Sequence, residues 1–378
     1  MIWPTADEER LLRAALSYPA EALDACRALR DVDVRRLTDG TRSLLPLLYP
    51  NLRALGLRGP LLETAERQYQ HTASWNATLF DHGRALIRQL DAAGVETMVL
   101  KGAALVTRYY HDAGIRPMVD MDLLIPPARF FSALMGFQRA GWTPYRMLMR
   151  SRLGATHAAP FTTADGFTCD LHWRVFPEPT PPGGDDALWA ASIPLDFSGV
   201  KTRALSPEDQ LLHVCVHGVQ SAPGRALWWI SDAVAVIRGG DVSWDRLVSQ
   251  AVAFRFVLRL REALQYVRNR FGAAVPGTVL ERLRALPVGP LERFEWRVIA
   301  HQDGLLGALP RHWCLYSRLG AAGGSKSLRG FVPYLQDVWG VRSTADLPRA
   351  VAIRAFATLH RRLIGSPGVS RTGSPPRG

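Results

Sequence analysis

Lysine is nearly missing from this chain of 378 residues, which carries only Lys101, Lys201 and Lys326. The other 43 of its 46 basic residues are arginine. With 34 acidic residues the net charge is +12 and the pI is about 10.1, a balance that can favour nucleic acid as a partner. The arginines are spread along the chain, as a GC-rich coding background also produces. A solvated surface is therefore the leading interpretation, and nucleic-acid binding is the alternative.

Cysteines and long apolar runs are also scarce. The four cysteines have no paired or zinc-like spacing (Cys26, Cys169, Cys215, Cys314). No run approaches the ~18 apolar residues of a membrane-spanning helix, and the segment after Met1 lacks the features of a secretory signal. We expect a cytoplasmic protein with reduced thiols, no structural zinc and no membrane contact.

Apolar periodicity divides the chain into regions of different structure. We predict a helical N-terminal region (1–93), a mixed α/β core (94–176), a linker (177–205), a helical C-terminal domain (206–364) and a disordered tail (365–378). The predicted helices outside the core are Glu21–Leu29, Leu61–Leu90, one starting at Ser206-Pro207, Ala226–Arg238, Trp244–Phe271 and Val351–Leu363. The apolar segment Leu44–Leu55 should be broken into short pieces by Pro46 and Pro50.

The predicted core alternates strands with helices. Its strands are Val95–Leu100, Val119–Ile125, Arg146–Arg150, Ala158–Thr163 and Phe167–Val175, and its helices are Ala103–Tyr110 and Ala128–Ala140. Asp165-Gly166 is a strong hairpin signal between the last two strands.

Two acids share one face of the strand predicted at Val119–Ile125. Strand side chains alternate in direction, so Asp120 and Asp122 lie about 6.5–7 Å apart on one face while Met121 points into a core. Neighbouring carboxylates repel each other unless a cation lies between them, and hard divalent ions take such oxygen ligands. The structural alternative is that Asp120 caps a turn and Asp122 pairs with an arginine.

A third acid, Asp170, interrupts the apolar strand Phe167–Val175. If that strand pairs with Val119–Ile125, the three carboxylates meet at one end of the sheet. Three carboxylates on neighbouring strands can hold the two metals, about 3.5–4 Å apart, of a phosphoryl- or nucleotidyl-transfer site. We therefore predict that Asp120, Asp122 and Asp170 are the catalytic metal ligands.

These acids belong to a series of motifs in a fixed order. The motifs are Leu100–Leu105, Arg116–Asp122, Asp170–Trp173, Ser206–Gly218, and Arg225 followed by Trp228–Asp232. On them the sequence resembles the uncharacterised nucleotidyltransferases of the DNA polymerase beta-type nucleotidyltransferase superfamily, from about residue 40 to about residue 265. The resemblance implies an α+β fold, in which a small mixed-sheet core is flanked by helical regions.

The resemblance also implies a role for each matching residue. Asp120 and Asp122 would bind both metals, while Asp170 would complete the catalytic metal site and help to deprotonate the acceptor hydroxyl. Mg²⁺, or Mn²⁺ in its place, would be the cofactor, and a nucleoside triphosphate (NTP) the substrate.

The phosphate-binding loop would lie at Gly102, where backbone N–H groups at a helix start could hold the triphosphate. Lys101 would add positive charge. Ala103 stands where the superfamily usually has serine, so it supplies no hydroxyl. Arg116 either contacts phosphate or forms a structural ion pair with an acid of the site.

Other polar residues allow more than one interpretation. His172 lies two residues after Asp170 and either lines the site or is a hydrogen-bonded core residue. His213 and His217 lie on one helix face, where a structural or substrate-lining role is favoured over zinc binding. Asp232 is expected to form an ion pair within its helical domain, with Arg225 as its partner.

Three functions are consistent with the sequence. The first is an enzyme that transfers a nucleoside monophosphate (NMP) from an NTP to a hydroxyl or phosphate of an unknown acceptor, which is a protein, a peptide natural product, a small molecule or an RNA. The second is a binding or regulatory protein that keeps the fold with little or no catalysis, which Ala103 favours and the three acids disfavour. The third is an enzyme directed at RNA, which only the positive charge supports.

Overall fold

The computed structural model describes residues 3–17, 19–29, 32–145, 156–180, 183–220, 227–300, 308–321, 328–341 and 343–364. The predicted strand Arg146–Arg150 and the predicted tail 365–378 lie outside these residues. Within them, no helix is both long and apolar enough to cross a membrane.

The N-terminal region is helical, as predicted. Its helices are α1 (Ala6–Leu16), α2 (Pro19–Arg27), α3 (Asp39–Ser43), α4 (Leu45–Ala54) and α5 (Pro60–Ala92). Thr5 and Glu8 form a reciprocal capping box at the start of α1, and Pro60 opens α5.

The prediction that two prolines break the Leu44–Leu55 segment is wrong, because α4 runs through Pro50 as one helix. Pro46 falls in the first turn, where its missing N–H has no helical partner to lose. The apolar side chains of α4 are buried in the core that also includes Ala65 of α5. This burial outweighs the hydrogen bond that Pro50 cannot make.

A seven-stranded mixed sheet forms the centre of the described chain. Its strands are β1 (Met98–Leu100), β2 (Met121–Leu124), β3 (Thr143–Pro144), β4 (Ala158–Thr162), β5 (Thr168–His172), β6 (Ile193–Phe197) and β7 (Val200–Ala204), in the order β3-β4-β5-β2-β1-β7-β6. Strand β2 pairs antiparallel with β1 and parallel with β5. The predicted hairpin is confirmed by the antiparallel pairing of β4 with β5. Helices α6 (Lys101–Leu105) and α7 (Phe130–Arg139) lie between these strands in the chain, and α6 continues as a π-helical turn, Val106–Tyr110.

Residues 177–205 are not the linker that their prolines and glycines suggest. They contain α8 (Gly184–Ala191) and the β6–β7 hairpin, which extends the sheet because β7 pairs parallel with β1. The turn of the hairpin is Ser198-Gly199, with both residues at positive φ. A Ser-Gly pair between two short strands is a turn signal that the composition of the preceding loop obscured.

Helices follow the sheet along the chain. They are α9 (Pro207–Gln220), α10 (Trp228–Arg238), α11 (Trp244–Ala253), α12 (Val257–Phe271), α13 (Gly277–Ala285), α14 (Pro290–Ala300), α15 (Ala308–Ala321), α16 (Leu328–Trp339) and α17 (Leu347–Ile364). The single helix predicted for Trp244–Phe271 is wrong, because the chain turns between α11 and α12 with Arg255 at φ 57°. The apolar pattern continues through this turn because Phe254 and Phe256 are both buried.

The two faces of the sheet contribute to different cores. Met121, Leu123 and Ile125 belong to the apolar cluster that includes residues of α5 and α7. Leu100 and Leu124 belong to the cluster that includes residues of α9, α10 and α12. Asp122 therefore lies on the sheet face that the C-terminal helices cover.

Candidate active site

Two of the predicted catalytic acids stand directly opposite each other on neighbouring strands. The parallel pairing of β2 with β5 brings Asp122 into register with Asp170, as the sequence predicted. Asp122 is buried and Asp170 is partly buried. The two alternate with core residues on their strands, so both side chains leave the sheet on the same face.

Asp120, the third predicted acid, lies just before β2 and is partly buried. Burial and the negative charges of Asp122 and Asp170 raise the pKa of Asp120 to about 7. Burial and the charge of Asp122 also raise the pKa of Asp170. The three acids therefore repel one another electrostatically, which is the condition that a bound cation relieves.

Lys101 supplies a positive charge at this point. Its Nζ lies 2.5 Å from Oδ1 of Asp122, and its backbone at the junction of β1 and α6 has a φ of 46°. Burial alone would raise the pKa of Asp122, but the Lys101 charge and a hydrogen bond from His172 outweigh it and hold the pKa below its ordinary value. Lys101 thus neutralises one of the three carboxylates.

Gly102 and Ala103, which were predicted to contact nucleotide, begin α6 and are both buried. A Cβ atom at Gly102 would lie 2.4 Å from an Arg116 guanidinium nitrogen and 2.7 Å from Sδ of Met118, so a larger residue would force these side chains to shift. Ala103 packs in an apolar cluster. Of these two residues, only backbone atoms can therefore contact a phosphate. No side chain caps the start of α6.

Arg116 binds an acid from the helical region. Its Nε and Nη2 atoms each lie 2.8 Å from a carboxylate oxygen of Asp232 on α10, which also accepts a hydrogen bond from the Tyr110 hydroxyl at 2.9 Å. Arg116 therefore forms an ion pair, as one alternative expected, but its partner is Asp232 and not an acid of the site. The Arg116 partner also corrects the expectation that Asp232 pairs within its own domain; Arg225 lies outside the described residues.

One guanidinium nitrogen of Arg116 takes no part in the ion pair with Asp232. That nitrogen, Nη1, is the atom that lies against Gly102. Arg116 can therefore be fixed by Asp232 and still direct a donor towards the loop before α6.

His172 contacts the acids directly. Its Nε2 lies 2.9 Å from Oδ1 of Asp122, and the ring is buried. One ligand atom from each of Asp122, Asp170 and His172 lies within 4.8 Å of the others. Both sequence interpretations of His172 therefore hold in part, since the ring is buried and also borders the site.

Histidines of α9 and of the segment before β4 surround this group. His213 is buried with its ring centre 5.7 Å from that of His217, and the ring of His157 lies 5.4 Å from that of His172. The His217 side chain reaches solvent, yet surrounding protein desolvates it and, with the Lys101 charge, lowers its pKa to about 4. His157 is a neighbour that the sequence did not identify, because nothing in its local pattern marks it.

The donor set fits a divalent cation. Burial, and after it the repulsion from Asp122, raises the pKa values of Asp120 and Asp170, and a bound cation would lower both. Carboxylates are the ligands that Mg²⁺ and Mn²⁺ accept. Asp122, Asp170 and His172 can hold such an ion, and the participation of Asp120 stays a prediction.

Comparison with known proteins agrees with the motifs. The family described as uncharacterised nucleotidyltransferase matches residues 40–272, whereas no curated protein matches this sequence. Two solved structures are only weakly similar to this chain. The antibiotic-resistance factor ANT(2'')-Ia is 13% identical, with 52% of this chain and 99% of that chain covered and a TM-score of 0.34. An antigenic nucleotidyltransferase-like protein from Paracoccidioides brasiliensis is 16% identical, with 55% and 98% covered and a TM-score of 0.35. Because the family match spans more than half of the chain, this protein belongs to the uncharacterised nucleotidyltransferase family.

Proposed function

We propose that this protein transfers an NMP from an NTP to a hydroxyl or phosphate of an acceptor and releases pyrophosphate. The reaction uses Mg²⁺, or Mn²⁺ in its place. The acceptor is a protein, a peptide natural product, a small molecule or an RNA. Since NTPs and reduced thiols are cytoplasmic, we place the reaction in the cytoplasm, and all four cysteines are free and buried.

The observation that carries this proposal is the side-by-side position of Asp122 and Asp170 on β2 and β5. Burying two facing carboxylates costs free energy unless a cation compensates them. A site that served only packing would gain nothing from this arrangement. Membership of a nucleotidyltransferase family supports nucleotidyl transfer as the reaction in which the two carboxylates take part.

The acids have separate tasks in the proposed reaction. Asp120 and Asp122 would hold the metal, and Asp170 would complete the metal site and help to deprotonate the attacking hydroxyl. When bound, divalent metal supplies charge stabilisation for the attacking and leaving oxygens. Asp120 supports this arrangement because it must lose a proton to bind metal, and its raised pKa is that of a carboxyl poised to do so at neutral pH.

The triphosphate is proposed to lie along the start of α6. The backbone N–H groups after Gly102 have no side-chain cap, and Arg116 directs Nη1 towards the same loop. Lys101 can move its ammonium from Asp122 to a phosphate oxygen when metal takes its place. The backbone N–H groups and Arg116 are donors held in place by the fold, and Lys101 adds a movable positive charge for the phosphates.

The acceptor is proposed to enter from the side of α9, where the side chain of His217 is exposed. His172 and His217 are the residues that we predict to border it. The pKa of His217, lowered to about 4 mainly by burial, keeps its imidazole neutral at physiological pH. A neutral ring can accept a hydrogen bond from an acceptor hydroxyl.

A protein that binds nucleotide without catalysis is the second candidate. The observation that favours it is Ala103, whose methyl group packs in the core where related proteins are expected to carry a serine hydroxyl. It predicts metal-dependent NTP binding with no transfer.

The test is incubation of the purified protein with Mg²⁺, each α-labelled NTP and extract from its source cells. Asp122→Asn and Asp170→Asn serve as site variants, and Asp91→Asn on the exposed surface of α5 is the matched control. Label on an acceptor with wild type and control, and none with the site variants, supports the transferase. NTP binding without transfer supports the second candidate. The absence of both binding and transfer would contradict both candidates.

A further inference from the structure

The imidazole of His172 is in direct contact with an acid of the site. It emerges from β5 on the same face as Asp170, two residues earlier, and its Nε2 reaches Oδ1 of Asp122 at 2.9 Å. With the side chain only 1% exposed, the ring has little freedom to turn away.

The spacing of these atoms matches that of neighbouring ligands on one metal ion. Ligand atoms about 2.1 Å from a metal and at right angles to each other are separated by roughly 3 Å. Nε2 of His172 and Oδ1 of Asp122 already have this separation, and one ligand atom from each of Asp122, Asp170 and His172 lies within 4.8 Å of the others. The side chains therefore need little rearrangement to share an ion.

A cation already occupies this neighbourhood. The Lys101 ammonium lies 2.5 Å from the same Oδ1 atom of Asp122 that His172 contacts. The oxygen is thus oriented towards positive charge, and a metal that displaced the ammonium would meet the imidazole at the same point.

We propose that Nε2 of His172 is a direct ligand of the metal, together with Asp122 and Asp170. The proposal rests on the proposed function and deepens it by naming the class of ion. Imidazole is a poor partner for Mg²⁺, which prefers oxygen, but a good ligand for first-row transition metals. The site therefore selects Mn²⁺ over Mg²⁺. On binding, the proton on Nε2 that points to Asp122 moves to Nδ1, so the neutral ring presents its Nε2 lone pair to the metal.

The rival role for His172 is a hydrogen bond that orients Asp122 without touching the metal. His172→Gln separates the two roles, because the glutamine amide can place an N–H donor near the position of Nε2 but is a weak metal ligand. The matched control is His71→Gln, which changes an exposed histidine of α5.

The experiment is Mn²⁺ titration of the metal-stripped, full-length protein without nucleotide, followed by pulsed electron paramagnetic resonance of the Mn²⁺ complex. Wild type and His71→Gln should show nitrogen coupling from a bound imidazole and bind Mn²⁺ at least about tenfold more tightly than Mg²⁺. His172→Gln should lose both the coupling and the preference, while its circular dichroism spectrum remains that of a folded protein.

Absence of nitrogen coupling in the wild-type complex would overturn the proposal whatever the variant does. A coupling that persists in His172→Gln, or no Mn²⁺ binding, would overturn it as well. Because no NTP is present, the result is independent of turnover. Transfer with an oxygen-only metal site would leave the proposed function intact, and nitrogen coupling without transfer would leave only this inference standing.

Discussion

Asp122 and Asp170 face each other in register across the parallel strands β2 and β5, although 47 residues separate them in the sequence. Of these two carboxylates, Lys101 forms an ion pair with Asp122 alone. The site therefore carries an excess of negative charge that the folded chain does not neutralise, and this excess has measurable consequences.

Replacing Asp120 with asparagine should stabilise the metal-free protein above neutral pH. The pKa of Asp120 rises from its ordinary value of 3.8 to about 7 on folding, through burial and the charges of Asp122 and Asp170. A raised pKa means that the folded state holds the proton more tightly, so stability is lost as pH rises between those two values. We expect Asp120→Asn to gain roughly 1–3 kcal/mol at about pH 8 and close to nothing at about pH 4.

Urea unfolding at both pH values measures this gain, with Asp91→Asn as the exposed control. With saturating metal at high pH, wild type should be more stable than Asp120→Asn, because the metal binds the wild-type site and stabilises the folded state. An Asp120→Asn protein that is less stable than wild type at high pH without metal would contradict the electrostatic account.

Replacing Lys101 with methionine should destabilise the metal-free protein and spare the metal-bound form. The change removes the counter-ion from a buried carboxylate and costs about 1–3 kcal/mol, given that Lys101 is itself partly exposed. Metal restores the missing charge. The measurement is the free energy of unfolding with and without Mn²⁺, and Lys201→Met, at an exposed position of β7, is the control. An equal loss in both conditions would show that Lys101 acts only through packing.

The Arg116–Asp232 pair should behave as a structural unit that lysine cannot replace. The bidentate geometry needs two guanidinium nitrogens, so Arg116→Lys and Asp232→Asn should each cost about 2–4 kcal/mol. The double variant should cost less than the sum of the two changes. Denaturant unfolding measures all three, and Arg84→Lys, in the exposed pair with Asp81, should change stability by less than about 0.5 kcal/mol. Additive losses would contradict direct pairing.

Charge along the chain is less even than the spread of arginines suggested. Residues 1–250 contain 26 basic and 27 acidic residues, whereas residues 251–378 contain 20 basic and 7 acidic residues. Two of these seven acids, Glu292 and Glu295, are buried, and Glu295 pairs there with Arg318. A coding preference for arginine over lysine does not explain a shortage of acids. We therefore expect a polyanion to contact exposed arginines in the C-terminal third of the chain.

The paired reversal Arg268→Glu/Arg284→Glu should weaken binding of an RNA oligonucleotide at low salt and reduce the salt dependence of binding. Both arginines are exposed, as are Arg53 and Arg58 in the N-terminal region, whose paired reversal changes the net charge equally. Fluorescence anisotropy over a salt series measures the binding. Equal weakening in both variants would show an effect of net charge alone.

The sequence predicted the paired acids because their signal is local. An aspartate in an otherwise apolar strand is conspicuous, and the Asp165-Gly166 turn fixes the direction of β5 relative to β4. The parallel pairing of β5 with β2 then brings Asp170 beside Asp122.

The partners of the charged residues could not be predicted in this way. Arg116 and Asp232 come from distant parts of the chain, and the helical spacing within Asp232's own segment pointed to Arg225 instead. The hydrogen bond from His172 to Asp122 likewise depends on strand register. Such contacts follow from the packing of elements rather than from any local pattern.

Nucleotidyl transfer at Asp122 and Asp170 is tested most directly by comparing where the label of α-labelled and γ-labelled NTP ends up in the same metal-containing reaction. We expect α label on the acceptor and γ label in pyrophosphate, and we expect Asp122→Asn to lose both signals. Label from the γ-phosphate on the acceptor, or α-label transfer that persists in Asp122→Asn, would contradict it.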